Sequence, residues 1–191
     1  MDDKVFRQIQ RGDKAAFARL VQRFQKPLFV YLGRMGLEQG LAEEVAQETF
    51  VRVWQSAARF DPTRSAFSTW IFTIARRLAI NELERASRRY EQSEQLADQE
   101  YDSTFSVQHA DPASLAPPDV LQQSEQQQQL WQALQALSVQ DRSLLALAYL
   151  NELEFSAIAE IEQIPVGTVK SRLHRIRGEL KTYLTRNGYE P

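Results

Sequence analysis

Glu44 and Glu48 stand four residues apart, with Glu43 beside them, a spacing that puts two carboxylates on one face of a helix. A metal or acid–base centre built on such a pair needs a histidine or further ligand at matching spacing. The chain has only two histidines, His109 and His174, and neither is near those acids in sequence. It has no cysteine, which removes thiolate ligands, thiol nucleophiles and disulfides and fits a reducing compartment. No catalytic constellation and no metal set emerges. The expectation is a chain that is not an enzyme, takes no cofactor and has no small-molecule substrate, with these acids on a solvated helix face.

The chemistry that remains is that of cations. The formal net charge is -2, but it is segregated: Arg64 to Arg89 holds six arginines against Glu82 and Glu84, and Tyr90 to Asp141 holds no lysine or arginine. Lys170 to Arg186 is basic again, with Lys170, Arg172, Arg175, Arg177, Lys181 and Arg186 against Glu179. Two basic regions flanking an acidic stretch can meet a polyanion locally despite the negative total.

The C-terminal basic region falls on a recognisable pattern. From Phe155 to Arg175 the sequence predicts a short helix, a tight turn and a second helix starting at Pro165 or Val166, where a proline loses no intrahelical hydrogen bond. Val169, Leu173, Ile176 and Leu180 share one face of that helix, which is core. The opposite face carries Gly167, Ser171, His174 and Gly178, flanked by Lys170 and Arg175. Small residues at its centre permit close approach to a DNA groove, and cations at its edges can meet phosphates or guanine edges. For Arg172 and Arg177, beside the core face, snorkelling stems and phosphate contact are both open. His174 reads as a surface residue of the groove-facing side.

The first 89 residues must supply the other basic surface, and they read as helices. Val5, Phe6 and Ile9 open one, Gly12 breaks it, and Asp13 is placed as the N-cap of a second. Pro27 suits the first turn of a third helix carrying Leu28, Tyr31 and Leu32. A fourth is expected from about Leu41 to Arg59, ended by Asp61-Pro62, and a fifth from about Phe67 to Ser87.

In the fourth helix Ala42, Val45, Ala46, Thr49, Phe50 and Val53 point inward. Glu44, Gln47, Glu48 and Val51 point outward with Trp54 at the border. An apolar pair among acids is the composition of a partner surface, although Trp54 as core and Val51 as an ordinary exposed valine is the competing reading. In the fifth helix Phe67, Ile71, Ile74, Ala75 and Leu78 are expected inside. Thr69, Thr73, Arg76, Arg77 and Ile80 lie outside, with Trp70 and Asn81 at the flank. Arginines beside hydroxyls and an aromatic suit single-stranded DNA, against the alternative that Trp70 and Phe72 are core.

Three segments resemble one family. Leu41-Ala-Glu-Glu-Val-Ala-Gln-Glu-Thr-Phe-Val-Arg-Val-Trp54 is similar to the core-binding helix of conserved region 2 of the extracytoplasmic-function sigma factors. Phe67-Ser-Thr-Trp-Ile-Phe-Thr-Ile-Ala-Arg76 is similar to their promoter-melting helix, and Ile164-Pro-Val-Gly-Thr-Val-Lys-Ser-Arg-Leu-His-Arg175 to their region-4 recognition helix. The resemblance implies a cytoplasmic initiation factor. Glu44, Gln47, Glu48, Val51 and Trp54 would dock on the β′ clamp helices of core RNA polymerase. Ser68, Thr69, Trp70, Thr73, Arg76, Arg77 and Asn81 would bind the −10 element of promoter DNA. Gly167, Lys170, Ser171, Arg172, His174 and Arg175 would read the −35 element, in a domain that also meets the β flap. It also implies control by an anti-sigma factor, often membrane-anchored. The family often carries Leu-Gly where this chain has Glu162-Gln163, a Ser or Thr cap near Glu154, and a polar residue such as Asn at Arg77.

The expected fold class is therefore all-α: a region-2 domain over 1–89, an acidic flexible linker over 90–120, and a region-4 helix-turn-helix domain over 121–191. The linker reading rests on Gln, Ser and acid content, lost periodicity, and Pro112, Pro117 and Pro118. Its acids suggest that Glu91 to Asp119 lies in a basic polymerase channel along the path of nascent RNA, against the alternative of a solvated spacer. A helix-turn-helix repressor or response regulator would need only the C-terminal surface, and the N-terminal half lacks the βα alternation of a receiver. No signal-peptide pattern opens the chain, and no run approaches the roughly 18 apolar residues of a membrane span.

Overall fold

The computed structural model describes residues 3–97 and 125–187, which form helices and no strand. Helix α1 (Asp3–Gln10) turns at Gly12, which sits at φ 85°, and Asp13 caps α2 (Lys14–Met35) by accepting from the amides of Ala15 and Ala16. The cap is where the sequence placed it.

Helix α2 corrects one expectation. Pro27 does not start a new helix; it lies inside a single 22-residue one. A mid-helix proline costs about 3 kcal/mol through its missing amide and its ring. One unbroken apolar stripe of Leu20, Phe24, Leu28, Tyr31, Leu32 and Met35 offsets this, each of them buried. The helix stops at Gly36, whose φ of 106° no other residue type adopts comfortably. Its amide and that of Leu37 close back on Gly33 and Leu32, in the manner of a Schellman cap.

Helix α3 (Gln39–Ser56) and a 3₁₀ turn (Ala57–Arg59) pack on α2, and α4 (Phe67–Ala97) packs on both. An aromatic cluster of Phe6, Phe60, Phe67 and Trp70 fills one end. Helix α4 runs to Ala97, past the end expected near Ser87 and into the stretch read as linker. Alanine and the straight-chain Glu, Arg and Gln of this stretch support a helix without an apolar face. Residues 98–124, which hold most of the expected linker and the channel hypothesis built on it, lie outside the described residues.

Helices α5 (Glu125–Gln135), α6 (Val139–Leu145, continued by a π turn over Ala146–Leu150), α7 (Phe155–Glu162) and α8 (Val166–Arg186) complete the chain. Ser138 caps α6 by accepting from the amide of Asp141.

The two helical sets do not stand apart. Helix α7 packs on α4, and α6 with its π turn packs on α2. A single apolar cluster runs from Leu28, Leu32 and Phe72 into Leu144, Leu147, Ile158 and Leu173.

Candidate functional site

Helix α8 presents its surfaces as the sequence predicts. Val169, Leu173 and Ile176 are buried and Leu180 half-buried, which leaves Gly167, Lys170, Ser171 and His174 exposed on the far side. The preceding turn keeps its shape without glycine: Gln163 takes the left-handed conformation, φ 56° and ψ 42°, where the related pattern has Gly. Glu154 precedes α7 with no side-chain cap, consistent with the absence of Ser or Thr there.

The cations of α8 divide into two sets. Lys170 and His174 make no ion pair among the described residues, and Arg172 is half-buried. Arg175 is instead held by carboxylates: its Nη2 donates to both oxygens of Asp141 at 3.0 and 2.9 Å, and its Nη1 to Glu179 at 2.7 Å. The hydrogen bond from Asp141, then that from Glu179, holds the guanidinium pKa above its ordinary value. Asp141 is on α6, so Arg175 braces the recognition helix against its own domain. Arg177 lies over the Tyr149 ring at 5.5 Å and donates to its hydroxyl.

On α3 the inward set Ala42, Val45, Ala46, Thr49 and Val53 is buried. Glu44, Gln47 and Glu48 are exposed, and Val51 is 47% exposed among them. Glu48 pairs with Arg52 at 2.7 Å, one turn away. Trp54 is half-buried against Phe17, ring centroids 4.9 Å apart. With Phe50 and Val51, these two rings line a shallow apolar hollow, so Trp54 both packs and forms part of an exposed surface.

Helix α4 departs most from expectation. Thr69, expected on the outer face, is 2% exposed. Phe72 is core, edge-on to Tyr31 at 5.2 Å, and Trp70 is half-buried and stacked on Phe60 at 4.7 Å. Ser68 and Thr73 are half-buried, and the Thr73 hydroxyl donates to the carbonyl of Thr69 at 2.8 Å. Arg77 and Asn81 are exposed as predicted. The reason is that α2, α3 and α7 all pack on α4, so an arc that one-sided amphipathicity assigns to solvent is covered.

Arg76 is covered in the same way. Its Nη2 lies 2.8 Å from Oε2 of Glu162, the last residue of α7, and the side chains are 18% and 2% exposed. Oε1 of Glu162 accepts from the Ser143 hydroxyl at 2.5 Å, and Ser143 lies 2.8 Å from the Tyr31 hydroxyl. A serine has one hydroxyl proton, and Ser143 gives it to the carboxylate, so Tyr31 is the donor to Ser143. Burial pushes the Tyr31 phenol far above its ordinary range, although the Ser143 hydrogen bond pulls the other way. Arg142 Nη2 donates to the carbonyl of Met35 at 3.2 Å, and the Arg34 guanidinium sits 4.8 Å from the Trp131 ring centre. Burial lowers the pKa of both arginines.

Glu162, Ser143, Tyr31, Asp141 and Arg142 carry these interactions, and none was singled out from sequence. The one available signal was Glu162 standing where the related pattern has leucine. Beside this seam an apolar groove of about 780 Å³ is lined by Leu130, Trp131, Leu134, Leu145, Leu150 and Leu180 with Arg34 and Arg142. No His, Cys, Asp and Glu grouping among the described residues could hold a metal ion.

The surfaces thus follow the chain in the order core-docking helix, arginine helix, helix-turn-helix. The sigma-70 region 2 family model matches residues 20–89 and the sigma-70 region 4 model residues 127–180. The ECF RNA polymerase sigma factor SigW of Bacillus subtilis is 33% identical over 184 residues, spanning 96% of this chain and 97% of that one. This chain belongs to the extracytoplasmic-function sigma factors of the sigma-70 family. A second relative, the ECF RNA polymerase sigma factor RpoE of Cereibacter sphaeroides, is 32% identical over 91% of this chain and 88% of its own. The fold is shared with CnrH, solved in complex with the cytosolic domain of CnrY (TM-score 0.69, 21% identity, 98% and 99% of the two chains). It is also shared with RpoE of Bartonella quintana, solved in complex with the anti-sigma factor NepR (TM-score 0.63, 22% identity, 88% and 96%). The protein is a sigma factor for transcription initiation, a regulatory DNA-binding role. No helix among the described residues is long and apolar enough to cross a membrane.

Proposed function

We propose that initiation by this sigma factor divides among three surfaces. The α3 face of Glu44, Gln47, Glu48, Val51 and Trp54 docks on the clamp helices of polymerase. The outer edge of α4, with Ser68, Trp70, Thr73, Arg76, Arg77 and Asn81, opens and reads the −10 element. Helix α8 reads −35 through Gly167, Lys170, Ser171, Arg172 and His174. Buried Thr69 is left out of the −10 set, and Arg175 is reassigned from direct reading to orienting α8 through Asp141, since both carboxylates saturate its inner donors. The protein acts in the cytoplasm and without catalysis of its own.

The observation that carries this division is Val51, exposed among acids beside the Phe17, Phe50 and Trp54 hollow. A repressor has no use for an acidic, apolar-centred face of this kind so far from its helix-turn-helix, whereas an initiation factor must hold a large partner there. The groove beside Trp131, apolar with arginines at its rim, suits an amphipathic segment of an anti-sigma factor or the β flap. Support for anti-sigma control comes from the fold-sharing CnrH and RpoE, both solved with such partners or a cytosolic domain bound.

Adding the purified protein to core polymerase and promoter fragments tests the division. The expected result is stable association with core and initiation at a −35/−10 promoter. Tight DNA binding by the protein alone, with neither core association nor initiation, refutes it.

A further inference from the structure

The seam between the helical sets is where buried polar atoms go unsatisfied. Arg76 Nε, Arg142 Nε and Trp131 Nε1 are the buried side-chain nitrogens without a hydrogen-bond partner among the described residues. All three residues reach across this seam: Arg76 to Glu162, Arg142 to the Met35 carbonyl, Trp131 to Arg34. A permanently closed core rarely keeps such orphans. An interface that opens tolerates them, because water satisfies each one on separation.

Glu162 is the second observation. It ends α7, yet the turn that follows is made by Gln163, so the helix-turn-helix needs no charge at this position. A carboxylate this buried is costly unless paired. Its partners are Ser143 and, from the other helical set, Arg76. The pair therefore exists only while the two sets are together, and it occupies the arginine assigned above to the −10 element. The α3 face with Val51 remains exposed in the same closed arrangement.

We propose that the closed packing is a self-inhibited state latched by Glu162, in which α7 withholds Arg76 from DNA until the two helical sets separate on polymerase. Docking through the open α3 face comes first and release of Arg76 second. The withholding half of this proposal rests on the −10 assignment of Arg76; the latch itself does not.

The chain has no cysteine, so paired spin labels can be placed at Gln25→Cys on α2 and Thr182→Cys on α8, both exposed positions. In the free full-length protein a single narrow distance is expected, which lengthens when core polymerase is added. Glu162→Gln keeps the shape and removes the charge, and Glu162→Leu removes the polar group altogether. Each is expected to raise the separated population of the free protein roughly tenfold or more, since an unpaired buried Arg76 then favours solvent. Binding of a −10 single strand by the free protein rises in proportion, while −35 duplex binding holds. Ser143→Ala, which cuts the relay without touching a charge, shifts the same distances less. Distances unchanged in both Glu162 variants, with wild-type helicity, overturn the latch. Separation without any gain in single-strand binding overturns the withholding half. Promoter opening by Arg76→Ala on core polymerase then distinguishes the causes: if opening falls, the −10 assignment stands and only the withholding was wrong.

Discussion

Gly36→Ala is expected to destabilise the protein through two separable effects. At φ 106° an alanine is strained by about 1–2 kcal/mol. Its Cβ would also stand 2.9 Å from Arg142 Nη2, too close for real contact, so the guanidinium must withdraw and its hydrogen bond to the Met35 carbonyl weakens. That bond contributes about 1 kcal/mol. Alanine restricts the unfolded chain and returns about 0.5 kcal/mol, so the net loss is about 1.5–2.5 kcal/mol, or roughly 3–10 °C in Tm for a protein of this size. Thermal and urea unfolding followed by far-UV circular dichroism measure it. Repeating the substitution in an Arg142→Ala background isolates the backbone strain, and the penalty should shrink by about 1 kcal/mol. An equal penalty in both backgrounds refutes the claim that Arg142 abuts this cap, and a loss below about 0.5 kcal/mol refutes the strain itself.

Val51→Asp should leave the fold intact, because the side chain is exposed, and should weaken association with core polymerase at least about tenfold in a competition assay. Lys170→Ala is expected to weaken −35 duplex binding and flatten its salt dependence by about one counterion, whereas Asp141→Asn should loosen α8 and lower −35 affinity without removing any cation. Equal salt slopes for Lys170→Ala and wild type would contradict a phosphate contact. Tyr31 supplies a pH test: its phenol pKa is raised in the folded protein, so its contribution is intact below the unfolded value near 10 and falls as pH climbs past it. Unfolding free energy should therefore drop above about pH 10 and drop less in Tyr31→Phe, with wild-type absorbance at 295 nm showing one tyrosine that ionises only on unfolding.

The sequence was most legible where an element packs on one side. Helix α8 shows Val169, Leu173 and Ile176 inside and Lys170, Ser171 and His174 outside because its partners lie along one stripe. Asp13 was readable because capping is a local bond between near neighbours. Helix α4 was not, since three helices cover it and Thr69 and Arg76 are withdrawn from an arc that looks like solvent. Pro27 misled because a local penalty was outweighed by a stripe that extends well beyond it on both sides. The bond between Tyr31 and Ser143 joins positions 112 residues apart, and no periodicity within either helix encodes such a partner.

The pairing of Arg76 with Glu162 also has a timetable. Position 162 follows position 76 by 86 residues, and a ribosome adding about 5–20 residues per second needs roughly 4–17 s to cover that span. Throughout that interval the nascent chain carries the arginine of α4 without the carboxylate that later masks it. Each molecule is thus born active in its N-terminal half and is silenced only when its last helices arrive, so slow translation of the region between them lengthens the exposure of every new copy.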